Sequence, residues 1–160
     1  MKHKRVPPID YPLLLACIGG PLLVGIVGAF FTTPEIASWY AGLTKPSFSP
    51  PNWLFGPTWT LLYILQGVAF YIVITRSKRI THSIILFMVQ LALNLLWSIL
   101  FFGLHEIGLA LWEMALLWIF ILWTAYDFSH HSRLAARLMI PYLAWVSFAL
   151  ALNAGVVYLN

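Results

Sequence analysis

Charge is scarce in this chain. Of its 160 residues, 9% are Asp, Glu, Lys or Arg, while 61% are hydrophobic. Soluble domains carry about 25% charged residues. With a mean hydropathy of +0.86, the chain cannot cover itself with polar surface in water. One membrane domain over residues 1–160 follows, with no room for a separate soluble domain. Cysteine is nearly absent too. Cys17 alone excludes an internal disulfide, and with no activating neighbour in sequence it reads as a small packing residue. Metal-ligand spacings such as H-E-x-x-H are missing. His3, His82, His105, His130 and His131 all fall at span ends or termini. The net charge of +4 does not indicate nucleic acid, because the cations sit in short clusters between apolar runs, as membrane topology demands.

Five apolar runs are present. After a basic lead-in (Lys2, Lys4, Arg5), residues 13–31 carry no charge and approach the ~20 residues that cross a hydrocarbon core. A signal peptide's apolar region is shorter, about 7–15 residues, so this run reads as a retained helix. Its small residues, among them Gly19, Gly20, Gly25 and Gly28, suit either a close helix contact or ordinary membrane packing. Further spans are expected at about 57–75, 83–103, 107–128 and 134–158. Pro57 opens the second of these at a first helical position. With five spans, Lys2, Lys4, Arg5, Arg76, Lys78, Arg79, Arg133 and Arg137 share one side and Lys45 alone lies on the other. The positive-inside rule then puts the N-terminus in the cytoplasm and residues 39–56 outside.

That outer loop is the most unusual stretch. Between Trp39 and Tyr63 it holds Pro46, Pro50, Pro51 and Pro57, with Tyr40, Phe48, Trp53 and Phe55 among them. Each proline fixes its φ, removes a donor and biases the preceding residue to extended backbone, so helix cannot run through 45–51. The rings either lie at a membrane interface or close over something.

Polar residues inside the spans form stripes. Gln90, Asn94, Trp97 and Phe101 share one helical face, as do Trp59, Tyr63, Gln66 and Phe70. Trp145, Ala149 and Asn153 do the same on the last span, with Phe148 beside them. Amides in a bilayer face protein or a cavity. The stripes therefore line a pocket for a flat, largely apolar ligand, or they are helix–helix contacts. Of the charged groups, Glu113 reads as an interfacial carboxylate near a helix N-terminus, Asp127 as a partner for Arg133 or Arg137, and His105-Glu106 as a solvated turn.

The run W-Y-A-G-L-T-K-P-S-F-S-P-P-N-W…G-P-T-W…L-Y resembles the signature loop of the TspO/MBR family, the tryptophan-rich sensory proteins and animal translocator proteins. A-L-N-x-x-W…F-F-G at 92–103 and R-L-A-A-R-L-M-I-P-Y-L-A-W at 133–145 extend the resemblance over about residues 15–155. It implies an all-α bundle of five transmembrane helices, usually a homodimer, with the loop between the first two capping a ligand pocket. It implies tetrapyrrole ligands (protoporphyrin IX or haem) or other flat apolar molecules, bound as ligands rather than as required cofactors. The implied pocket residues are Trp39, Tyr40, Pro50, Pro51, Trp53, Trp59, Asn94, Trp97, Trp145 and Ala149. Asn94, with Lys45 or Tyr40, would meet the propionates. Light- and oxygen-dependent porphyrin breakdown, or transport of porphyrins or sterols, is the alternative activity. The expected setting is a bacterial cytoplasmic membrane, with the mitochondrial outer membrane as the alternative. Where animal members carry a Tyr and an Arg in a sterol pattern, this chain has Ala154 and Tyr158 with no cation after. Arg137-x4-Tyr142-x3-Val146 fits the reversed pattern only as interfacial anchoring.

Overall fold

Each apolar run folds as one helix, because a backbone in hydrocarbon must satisfy its polar groups within its own segment. The computed structural model describes residues 9–76 and 80–160. The basic residues Lys2, Lys4, Arg5, Lys78 and Arg79 lie outside them. The helices are α1 (Tyr11–Ile36), a single turn α2 (Trp39–Gly42), α3 (Phe55–Arg76), α4 (Thr81–Ser98), α5 (Ile107–His131) and α6 (Arg133–Leu159). A 3-10 turn at Asn52–Leu54 leads into α3, and a π-helical stretch, Ile99–Gly103, ends α4. No strand occurs among the described residues. Five of these segments are long and apolar enough to cross a membrane.

The sequence spans fall inside the helices, with informative differences at the ends. Helix α1 runs on past residue 31 through Pro34 to Ile36. Its last turns recruit side chains: Thr32 Oγ1 donates to the Gly28 carbonyl at 3.1 Å, and Ser38 Oγ to the Pro34 carbonyl at 3.0 Å. At its start, the Asp10 carboxylate accepts from the Leu13 N–H at 3.1 Å, the usual helix cap. Helix α3 begins two residues before Pro57, which still sits in the first turn, where no intrahelical donor is needed. Only Ser132, extended at φ −159°, separates α5 from α6.

The helices close into a ring in the order α1, α3, α6, α5, α4, each packing on the next. α1 buries only Cys17, Pro21 and Gly28. The close approach comes from its neighbour: a Cβ on Gly67 of α3 would stand 2.7 Å from the Cys17 carbonyl oxygen, so the two backbones touch there. Gly19 and Gly20 meet nothing within 4 Å, whereas Gly25 and Gly28 face inward against Tyr63 and Ser98. In the half of the bundle nearer the α1 N-terminus, Phe70 and Phe87 stack at 4.2 Å with Phe128 at 6.5 and 6.2 Å.

Three sequence expectations about polar side chains are corrected. Asp127 does not meet Arg133 or Arg137. It accepts from Ser83 Oγ, pairs with His82 Nδ1 at 2.9 Å and has His131 Nε2 at 3.9 Å. The antiparallel register of α4 and α5 brings Ser83 opposite Asp127, which linear proximity could not reveal. Glu113 is not an interfacial carboxylate; it is 7% exposed, with neither oxygen hydrogen-bonded. Nor is Tyr142 an interfacial anchor, since it is fully buried.

Candidate functional site

The opposite half of the bundle is hollow. A cavity of about 490 Å³ lies beneath the loop, within the ~300–1,000 Å³ typical of small-molecule sites. α1, α3, α4 with its π-helical end, and α6 form the walls. The polar stripes read from the sequence converge on it. Trp59 and Tyr63 come from α3, Asn94 and Trp97 from α4, and Trp145, Ala149 and Asn153 from α6.

Most of the polar groups in the wall are already engaged. Tyr63 donates its hydroxyl proton to Asn94 Oδ1, and Asn94 Nδ2 donates to the Tyr142 hydroxyl oxygen at 3.1 Å. Asn94 thus links three helices while lining the cavity, and its amide keeps a second N–H and a second lone pair. Trp97 Nε1 donates to Asn153 Oδ1 at 3.1 Å, and Asn153 Nδ2 to the Ile107 carbonyl at 3.0 Å. Trp145 is different, because its indole N–H is shielded and has no partner. Its ring meets Phe55 edge-on at 5.7 Å. Trp59 stacks on Tyr63 at 5.6 Å. Among the described residues lining the cavity none is Asp, Glu, Lys, Arg or His.

Not every expected pocket residue reaches the cavity. Tyr40 lines it from α2, and Trp53 lines its rim while 71% exposed. Trp39, next in sequence, turns the other way. It stacks on His105 at 4.1 Å and meets Phe101 edge-on at 5.5 Å, so it braces the wall from behind. The His105-Glu106 turn is therefore not simply solvated. His105, in left-handed backbone at φ 60°, also pairs with Glu35 at 3.3 Å. Pro50 and Pro51 lie in the cover but do not line the cavity; Pro51, with φ −59°, opens the 3-10 turn that presents Asn52 and Trp53. Lys45 stays out of the cavity as well, its Nζ 4.6 Å above the Tyr40 ring. Burial raises the Tyr40 phenol above its ordinary pKa, so the neutral ring faces that cation.

Sequence reasoning missed part of the wall. Gly25, Gly28, Thr32 and Ser98 all line the cavity. Gly25, Gly28 and Thr32 recur at helical spacing, which was the available signal. Phe102 also lines it, next to Phe101. Two adjacent residues facing one way is what a π turn allows, and no α-helical periodicity would have placed both.

Five helices long and apolar enough to span a bilayer, around a ring-lined hollow, define an integral membrane protein with an internal cavity. Comparison narrows this further: the chain belongs to the TspO/MBR family, whose model matches residues 17–159. It is 45% identical to tryptophan-rich protein TspO of Archaeoglobus fulgidus over 151 residues, 92% of this chain and 96% of that one. It is 40% identical to the Homo sapiens translocator protein over 157 residues, 96% and 89% of the two chains. The tryptophan-rich sensory protein of Cereibacter sphaeroides is 33% identical over 152 residues, 95% and 94% of the two.

Proposed function

We propose that this protein binds a flat, largely apolar tetrapyrrole, with protoporphyrin IX as the type ligand, in the cavity under the loop. One observation carries the reading: a hollow of about 490 Å³ walled by Trp59, Tyr63, Trp97 and Trp145 and free of charged side chains among the described residues. Such a space accepts the macrocycle by ring stacking and dispersion. Carboxylates buried there would lack a counter-charge, so the propionates point out through the rim, past Trp53. Tyr40 and Tyr63 are the lining side chains of a kind that can ligate a haem iron, so the cavity accommodates either the metal-free ring or haem.

The test is titration of the detergent-purified protein with protoporphyrin IX, first in the dark and then illuminated. Tryptophan fluorescence is expected to quench saturably, and Trp145→Phe or Trp59→Leu to weaken binding about tenfold, the loss of roughly 1.4 kcal/mol. Unsaturable quenching, or variants that bind like the parent, would refute the site. An unchanged porphyrin spectrum in light assigns binding alone. Bleaching of the porphyrin that depends on Trp59 or Trp145 assigns the degrading activity.

A further inference from the structure

The cover of the cavity is fastened at one end. Asn160 Oδ1 accepts from the Thr44 backbone N–H at 2.9 Å, and Asn160 Nδ2 donates to the Thr44 carbonyl at 2.9 Å. One side-chain amide thus pairs with both polar groups of a loop residue, as a neighbouring strand would. The same Nδ2 donates to the Val156 carbonyl at 2.8 Å, which ties the arrangement to α6. Pro46 rests on Gly155 so closely that a Cβ there would overlap its ring. The next stretch is held differently. Among the described residues, backbone hydrogen bonds from 47–54 stay local: Ser49 N–H to the Pro46 carbonyl and Leu54 N–H to the Pro51 carbonyl, both at 3.0 Å. Ser49 Oγ is shielded without a partner, and Phe48, 53% exposed, reaches α6 through the Phe148 ring at 6.3 Å. This second stretch carries Trp53 to the rim.

We propose that Asn160 is the fixed anchor of the cover: it pins Thr44 to Pro46 on α6 while residues 47–54 swing to admit and release the ligand. The strength of the Asn160–Thr44 pair then sets how often the cavity opens. Asn160 is a positioning residue in this scheme; it does not touch the ligand. The inference deepens the reading of the cavity as a ligand site and rests on it.

A thiol placed in the cavity wall measures opening without any ligand. In a Cys17→Ser background, Ala149→Cys is exposed to a small methanethiosulfonate reagent in detergent. Adding Asn160→Ala is expected to speed modification roughly tenfold, as the loss of two hydrogen bonds of ordinary net strength implies. Amide exchange at Thr44 rises by a similar factor, while exchange in the middle of α4 stays unchanged and reports an intact bundle. Asn160→Asp keeps the acceptor and loses the donor, and so falls between the two. If Asn160→Ala does not fold, Gly155→Ala, which pushes Pro46 off its seat, gives the same acceleration. Unchanged thiol reactivity alongside faster Thr44 exchange would show that entry does not run under the cover. Unchanged Thr44 exchange would show that Asn160 anchors nothing. Protoporphyrin IX release, followed in parallel, quickens with the thiol rate. Absence of porphyrin binding to every variant would count against the ligand, while the thiol rates still decide the anchor.

Discussion

Asn94 holds two phenols at once, accepting from Tyr63 and donating to Tyr142. Replacing it with Leu leaves both hydroxyls facing an apolar wall. Hydrogen bonds between membrane helices are modest, so a loss of about 1–2 kcal/mol is expected, read from denaturant unfolding in detergent micelles. Tyr63→Phe removes one bond and costs about half as much. Glu113 predicts the opposite sign. With both carboxyl oxygens buried and unpartnered, Glu113→Leu should stabilise by about 1–3 kcal/mol in the same assay; a loss would mean that the carboxyl is bonded in the working protein. The face on which Asn94 lies was legible from a spacing of four residues. Its partners were not, because Tyr142 stands 48 positions away and periodicity fixes a direction, not a neighbour. For the same reason Asp127 could be located at a span end but its contact with Ser83, 44 positions back, could not be seen.

The helices themselves were the most legible feature. Length and hydropathy set five spans, and their interiors agree with the structure. The ends were less readable. The uncharged run ended at residue 31, yet α1 continues to Ile36 through Pro34, whose missing N–H costs one intrahelical bond. The π turn at Ile99–Gly103 left no mark in the pattern at all, since one extra residue per turn looks like an ordinary apolar run. The contact between α1 and α3 gives the sharpest test of an element. Gly67→Ala inserts a methyl where two backbones meet, so neither side can yield by rotating a side chain. A destabilisation of about 1–3 kcal/mol is expected. Gly20→Ala, whose added methyl meets nothing within 4 Å, is expected to be stabilising by up to about 1 kcal/mol and serves as the control.

The molecule divides along its long axis, with the larger hollow under the loop and stacked rings beside a smaller cavity toward the α1 N-terminus. The sequence indicated which end would be hollow, because the proline- and tryptophan-rich stretch joins the first two spans. It did not indicate the stacked rings of the other half, since Phe70, Phe87 and Phe128 come from three different helices. The bias of Lys and Arg toward the side opposite Lys45 carries the expectation that residues 39–56 face outward, and it can be tested directly. Ser47→Cys in a Cys17→Ser background should react with a membrane-impermeant maleimide added outside intact cells. Labelling that requires cell lysis would invert the assignment. The stacked phenylalanines have one more consequence. Phe70 and Phe87 lie face to face at 4.2 Å, so a guest beneath the loop could pass between α3 and α4 at that depth only by prising the two rings apart.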